Sequence, residues 1–419
     1  MHESLFDQTT VAELALFNVT FGSRSPFGDN EISLDKLAET GNEQPGLKCI
    51  IENLLRAVEA GTSEMNKVGL LLSGGYDSRC LLAALRNLGK DVVTFCWDIP
   101  NPRTETGIAE ELAAMAGYQL IQLNPLDIGI DELRRFITPY VRQSRGLLST
   151  TRLRTAAVAS LASKEVDGLI WGEGEMIRPP VIPGEYLTEA ALGLLGKDAG
   201  VETSQMTGFF SKSLPWDAAV SEFRKHTEPL LGFPKYQKST LWLRYFSYPH
   251  IYGLLAKASN SAKVVMPFLF PDLSEALFMR ENSIAFRNSW RQSLPHMTRD
   301  RRLYHDVIKT LAPELLNVRT DRGYRLSHDG SPVSGMFVVA GVVRSLLRCD
   351  KGRRKQDVVF RDLVADELSK LLPSPLADNE QVYGMLEKRS EWTSGQFHKL
   401  SQLLAVLTFV KGRDPIDGN

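Results

Sequence analysis

At 419 residues the chain is long enough for two or three domains, and its balance of 43% apolar and 24% charged residues is that of a soluble globular protein. A formal net charge of −1 gives no global pull toward nucleic acid or an anionic membrane surface. The best apolar run, 336–343, stops at Arg344 well short of a membrane span, and Met1-His2-Glu3-Ser4 has neither the basic nor the apolar segment of a signal peptide. Cys49, Cys80, Cys96 and Cys349 are scattered without a CxxC pair, so neither a zinc site nor a disulfide framework is indicated, and a reducing cytoplasm is the expected location.

Residues 1–45 read as a small unit rich in turn residues, closing at the linker Gly41-Asn42-Glu43-Gln44-Pro45-Gly46. The spacing predicts a helix over 47–60 and a buried strand over 68–72, ending at Ser73-Gly74-Gly75. Asp77-Ser78 then opens a helix, 79–88, apolar at Cys80, Leu81, Leu82, Leu85 and Leu88. Further strands are expected at 92–97, 119–123 and 168–171, with helices at 104–116 and 156–164 between them. This alternation predicts an α/β fold, a parallel sheet with helices on both faces. Ligands of such sheets bind beyond the carboxyl ends of the strands, the edge that would collect the Ser73 loop, Trp97 and Gly172. Beyond Pro180 the pattern becomes mostly helical, clearest at 239–258 and 304–311. A last helix, 397–410, has the apolar spacing of one packed on the core, and the basic stretch 348–355 reads as a solvated loop. The seven histidines show no H-x-x-x-H spacing.

Strand, glycine turn and helix N-terminus make an anion site, because glycines let the backbone approach a phosphate and the first helical N–H groups point at it. Ser73 and Ser78 can add hydroxyl donors. Asp77 suits bare phosphate poorly, which calls for a bridging magnesium ion. The alternative is an ordinary tight turn with Asp77 as the helix cap. The pattern is neither a Walker loop nor GxGxxG.

Ser73-Gly74-Gly75-Tyr76-Asp77-Ser78 resembles the pyrophosphate loop of ATP pyrophosphatases, which split ATP into AMP and pyrophosphate. Asparagine synthetases, β-lactam synthetases, lasso-peptide cyclases, GMP synthetases and tRNA-modifying enzymes share that loop. Trp171-Gly172-Glu173-Gly174-Glu175 is similar to a second motif of asparagine synthetases, and 151–170 resembles the helix and strand that lead into it. Val265-Met266-Pro267-Phe268-Leu269 and the segment 301–319 resemble later landmarks of the same branch, in the same order. The resemblance spans 65–325 and implies an adenine-nucleotide hydrolase-like, Rossmann-like fold. It also divides the chain into 1–45, a remnant of the linker to a glutaminase domain, 46–330, the synthetase-like domain, and 331–419, a helical extension. In that branch the glutaminase domain begins with a cysteine after the initiator methionine; here His2 stands there, and the stretch before Ser73 is too short for such a domain.

Carried over residue by residue, the resemblance implies that Ser73, Gly74, Gly75 and Ser78 hold pyrophosphate and that Asp77 holds magnesium. Backbone groups of Leu72 and Trp97 would contact adenosine, Gly172 would lie close to the nucleotide, and Glu173 would be the base or a substrate-orienting acid. On their own, Trp97 also suits a core position and Glu173 a helix cap. The pattern departs from the family at Met176 and Ile177, where the second magnesium-binding Asp and the acid after it would fall, leaving Glu175 as the metal candidate. It departs again at Asp321, where the catalytic lysine would fall beside Arg322, and at Val265, usually arginine.

The implied activity is adenylation of a carboxylate with Mg-ATP and transfer to ammonia or an amine, supplied by a separate glutaminase or a partner in a biosynthetic cluster. Met176, Ile177 and Asp321 keep open a non-catalytic ATP-binding relative. A tRNA-modifying enzyme is a third reading, which the balanced charge and scattered cysteines argue against.

Overall fold

Five parallel strands organise the computed structural model, which describes residues 7–21, 45–96, 105–123, 129–172, 188–195, 208–233, 238–239, 241–259, 263–283, 290–320, 324–330, 336, 340 and 351–412. The strands are β1 (Lys67–Leu71), β2 (Asp91–Cys96), β3 (Gln119–Gln122), β4 (Gly168–Ile170) and β5 (Lys263–Val265), in the order β3-β2-β1-β4-β5. The chain winds from β1 out to β3 and then returns to place β4 on the other side of β1. The order therefore reverses between β1 and β4, the kind of switch point at which open parallel sheets bind ligands.

Alternation along the strands builds two cores. Val68, Leu70, Leu72, Val92, Ile170 and Val265 face the helices α2 (Leu47–Thr62), α3 (Tyr76–Asn87) and α4 (Glu105–Ala116). Leu71, Val93, Phe95, Leu169 and Trp171 face the other way, onto a cluster shared with α1 (Gln8–Phe17), α5 (Ile130–Gln143) and α6 (Leu153–Ala162). Gly69 belongs to this second face, where a β carbon would lie 2.6 Å from Leu169 Cδ2 and 3.0 Å from Phe95 Cε2, so glycine is what lets those side chains meet.

The α/β sheet with helices on both faces and a mostly helical remainder is the predicted fold, and four strands fall within a residue of their expected bounds. β5 was not expected. It is a three-residue edge strand inside a segment whose pattern is otherwise helical, too short to show a period. After the short α7 (Glu189–Leu195) and α8 (Trp216–Thr227), the expected helix at 239–258 holds a π-helical turn, Trp242–Ser247, before α9 (Tyr248–Ala258). Then come α10 (Pro271–Ser283) and α11 (Trp290–Leu311), the latter much longer than the expected 304–311. The basic stretch is corrected in part: 348–350 lie outside the described residues, but Lys351, Arg353, Arg354 and Lys355 form the first turns of α12 (Lys351–Ser369), not a loop. Burial of Phe360, Leu363, Val364 and Leu368 anchors that helix, and lysine and arginine are good enough helix formers to extend it back.

In the region read as turn-rich, α1 is a helix capped by the Asp7 side chain and buried from Thr10 to Phe17. It packs on α8 and on the last helix, α14 (Ser394–Lys411), where Gln402 Nε2 donates to Leu14 O at 2.6 Å and to Asn18 Oδ1 at 2.7 Å. α13 (Asn379–Glu387) precedes α14, whose start is fixed by a reciprocal cap between Thr393 and Gln396. Among the described residues no helix is long and apolar enough to cross a membrane.

Candidate active site at the switch point

The site begins where β1 runs out of sheet. Leu72 N still donates to Phe95 O at 2.8 Å, one residue past the strand. The next six residues fold on their own hydroxyls. Ser73 N donates to Ser78 Oγ at 3.2 Å, Gly75 N donates to Ser73 Oγ at 3.2 Å, and the two serine hydroxyls are 3.0 Å apart. Gly75 is the N-cap of α3, extended at φ −74 and ψ 176, and no side chain caps the helix. Asp77 is therefore not the cap. It lies in the first turn, where its negative charge favours the helix dipole, and its Oδ1 accepts a hydrogen bond from Tyr304 on α11 at 2.8 Å.

Gly172 closes the other side, just past β4 and across the switch point from α3. A β carbon there would sit 3.0 Å from Ser78 N and 3.2 Å from Asp77 Cβ. Any larger residue would fill the space in front of the first-turn amides. A glycine-walled helix N-terminus with no side-chain cap, two adjacent hydroxyls and one carboxylate is a donor set that fits a phosphate chain with a divalent cation. The structure thus brings together Leu72, Ser73, Gly74, Gly75, Asp77, Ser78 and Gly172. Trp97, Glu173, Glu175, Met176, Ile177, Asp321 and Arg322 lie outside the described residues.

A buried polar cluster behind this turn was not anticipated. Arg301 Nη1 donates to Tyr324 Oη at 2.8 Å, the hydroxyls of Tyr324 and Tyr76 are 2.6 Å apart, and Tyr76 donates to Asp329 Oδ2 at 3.1 Å. Each hydroxyl has one proton. Since Tyr76 gives its proton to Asp329, Tyr324 gives its own to Tyr76, and the donors run in one direction from guanidinium to carboxylate. Burial, reinforced by Tyr324 and Asp329, pushes the Tyr76 hydroxyl well above the ordinary tyrosine range, so it stays protonated. Burial likewise raises the Asp329 carboxyl, against the pull of Arg301 and the Tyr76 bond.

Three residues along α3, Arg79 is fully buried. Its guanidinium donates to the carbonyls of Leu315 at 3.2 Å, Val318 at 2.9 Å and Arg319 at 2.8 Å. Sequence reasoning missed Tyr76, Arg79, Arg301, Tyr304, Tyr324 and Asp329. Two signals were available: an arginine in an apolar helix face, and Arg301 and Tyr304 three apart on one side of α11.

Residues 50–174 match the family described as Asparagine synthase, and no curated protein matches the chain. The matched segment runs from the fourth residue of α2 through β1, the Ser73 loop and β4 to just past Gly172, which is the part of the fold that builds both walls of the switch point. Members of this ATP pyrophosphatase family are ATP-dependent ligases. Over these residues the chain is similar to the synthetase domain of asparagine synthases.

Proposed function

We propose that the protein is an ATP-dependent carbon–nitrogen ligase. A substrate carboxylate attacks the α-phosphate of ATP, forming an acyl-adenylate and releasing pyrophosphate; ammonia or an amine then attacks the acyl carbon and AMP leaves. The observation that carries this reading is the uncapped N-terminus of α3, walled by Gly172 at the β1/β4 switch point and flanked by the Ser73 and Ser78 hydroxyls.

In this reading the loop amides and the two hydroxyls take the pyrophosphate, and Asp77, oriented by Tyr304, holds magnesium. Magnesium supplies charge stabilisation for the departing pyrophosphate. Backbone groups at Leu72 and Trp97 receive adenosine, with Gly172 against the nucleotide. Glu173 accepts the proton of the attacking amine, Glu175 adds a metal ligand, and Arg322 stands in for the family's lysine. The amine comes from free ammonia or from a partner protein such as a glutaminase, and the reaction takes place in the cytoplasm.

The test is release of AMP and pyrophosphate from Mg-ATP, first with aspartate plus ammonia and then with a small-metabolite extract. Release that requires a substrate and disappears in Asp77→Ala is the expected result. ATP binding without release in any mixture would favour the non-catalytic reading, with Met176 and Asp321 as the positions to revert.

A further inference from the structure

Three buried hydroxyls on the helices of this protein satisfy themselves in the same way. Thr62, Thr227 and Ser259 each donate to the carbonyl four residues earlier, at 2.7 Å in every case. That back-bond is the ordinary recourse of a serine or threonine on a helix. Ser247, at 0% exposure, does not make it, and its Oγ has no partner among the described residues. The cause is local. Ser247 closes the π-helical turn Trp242–Ser247, and Leu243 O, the carbonyl it would use, is engaged instead by Tyr248 N in the wider bond of that turn. Pro249 follows without an N–H, so the preceding turn loses a backbone donor as well.

One turn on from Ser247, His250 lies on the same side of the helix at 3% exposure. Neither of its ring nitrogens makes a bond of acceptable geometry. The Leu147 backbone stands near the ring and acts on it as an acceptor does. A neutral imidazole has one N–H and one lone pair, and a hydroxyl can both donate and accept. Cores satisfy groups of this kind with ordered water. Ser401 is another buried hydroxyl without a partner, but His398, one turn before it, is bonded through both ring nitrogens, to Asn18 and Thr151. At Ser247, by contrast, two unsatisfied side chains stand one turn apart.

The chemistry of the pair selects a neutral ligand. Arg244, one turn before Ser247, bears on Tyr245 and not on His250, so no cation is there to hold an anion. Among the described residues there is also no cluster of acids, histidines or cysteines that could hold a metal ion.

We propose that the π-helical turn is a built water site, in which one buried water bridges Ser247 Oγ and a ring nitrogen of His250. The water accepts from the hydroxyl and donates to the lone pair of the nitrogen. It replaces the back-bond that the π-helical turn withdraws from Ser247, and it holds the imidazole in the tautomer whose N–H is turned toward Leu147.

The test uses the full-length protein, with water itself as the probe. A high-resolution crystal structure should show an ordered water within hydrogen-bonding distance of both Ser247 Oγ and a His250 ring nitrogen. Urea unfolding at pH 7 then gives a sign. Removing a bridged hydroxyl loses a bond, whereas removing a bare one relieves a cost, so the two cases move stability in opposite directions. Ser247→Ala is expected to lower the folding equilibrium constant about tenfold in the wild type and much less in the His250→Leu background, where the bridge is already gone. A crystal structure with no water between the two side chains would overturn the proposal. So would a Ser247→Ala protein at least as stable as the wild type, or one with the same loss in both backgrounds.

Discussion

Asp77 receives its hydrogen bond from Tyr304, 227 residues further along the chain. That bond helps to orient a carboxylate in the first turn of α3, and an oriented ligand binds a cation more tightly than a mobile one. Tyr304→Phe removes the hydroxyl and keeps the ring that packs on Tyr76 at 5.2 Å between centroids. A hydrogen bond to a charged group contributes about 1.5–3 kcal/mol. The magnesium concentration needed for half-maximal pyrophosphate release should therefore rise about tenfold in the variant, with Tm nearly unchanged; an unaltered magnesium dependence would reduce Tyr304 to a packing residue. The contrast in legibility is physical. Ser73 to Ser78 could be read because six adjacent residues carry the chemistry and their own hydroxyls fold the loop. Tyr304 and Tyr324 could not, because their partners are chosen by how α11 packs on α3, and nothing local to either residue encodes that.

At the scale of the element, strand limits were legible because glycine, lysine or aspartate interrupts each apolar run. Helix limits were less so. α11 extends back to Trp290 through a polar stretch whose helicity depends on its neighbours, and α12 begins among lysines and arginines with no apolar signal of their own. The π-helical turn before α9 was invisible in the same way. α9 also carries a buried histidine, His250, which makes no hydrogen bond of acceptable geometry from either ring nitrogen. Burial lowers its pKa from 6.5 to about 3, and the nearby Leu147 backbone opposes the shift only in part. The folded state thus binds this proton less readily than the unfolded state. Its contribution is fully present above about pH 6.5 and is lost as pH falls toward 3. Between pH 7 and pH 5 the wild type should lose on the order of 2 kcal/mol that His250→Leu does not lose. Urea unfolding of both proteins at the two pH values checks this, and parallel losses would contradict it.

At the scale of the molecule, the sheet and the helical remainder serve one place. The strand order puts the end of β1 beside the end of β4, the Ser73 loop and Gly172 face each other across the gap, and α11 braces the loop helix from behind. The general location was legible from the alternation of strands and helices alone. The bracing was not, because residues 301–329 reach the site only through tertiary packing. α1 and α14, from opposite ends of the described chain, share the core on the opposite face of the sheet from α3 and α11. In the proposed reaction the uncapped turn of α3 holds the departing pyrophosphate, which dictates the bond of ATP that is cut. Phosphorus NMR of the reaction products tests it most directly. The account predicts AMP and pyrophosphate, formed only with magnesium and absent with Asp77→Ala; ADP and inorganic phosphate, or pyrophosphate release that survives in Asp77→Ala, would contradict it.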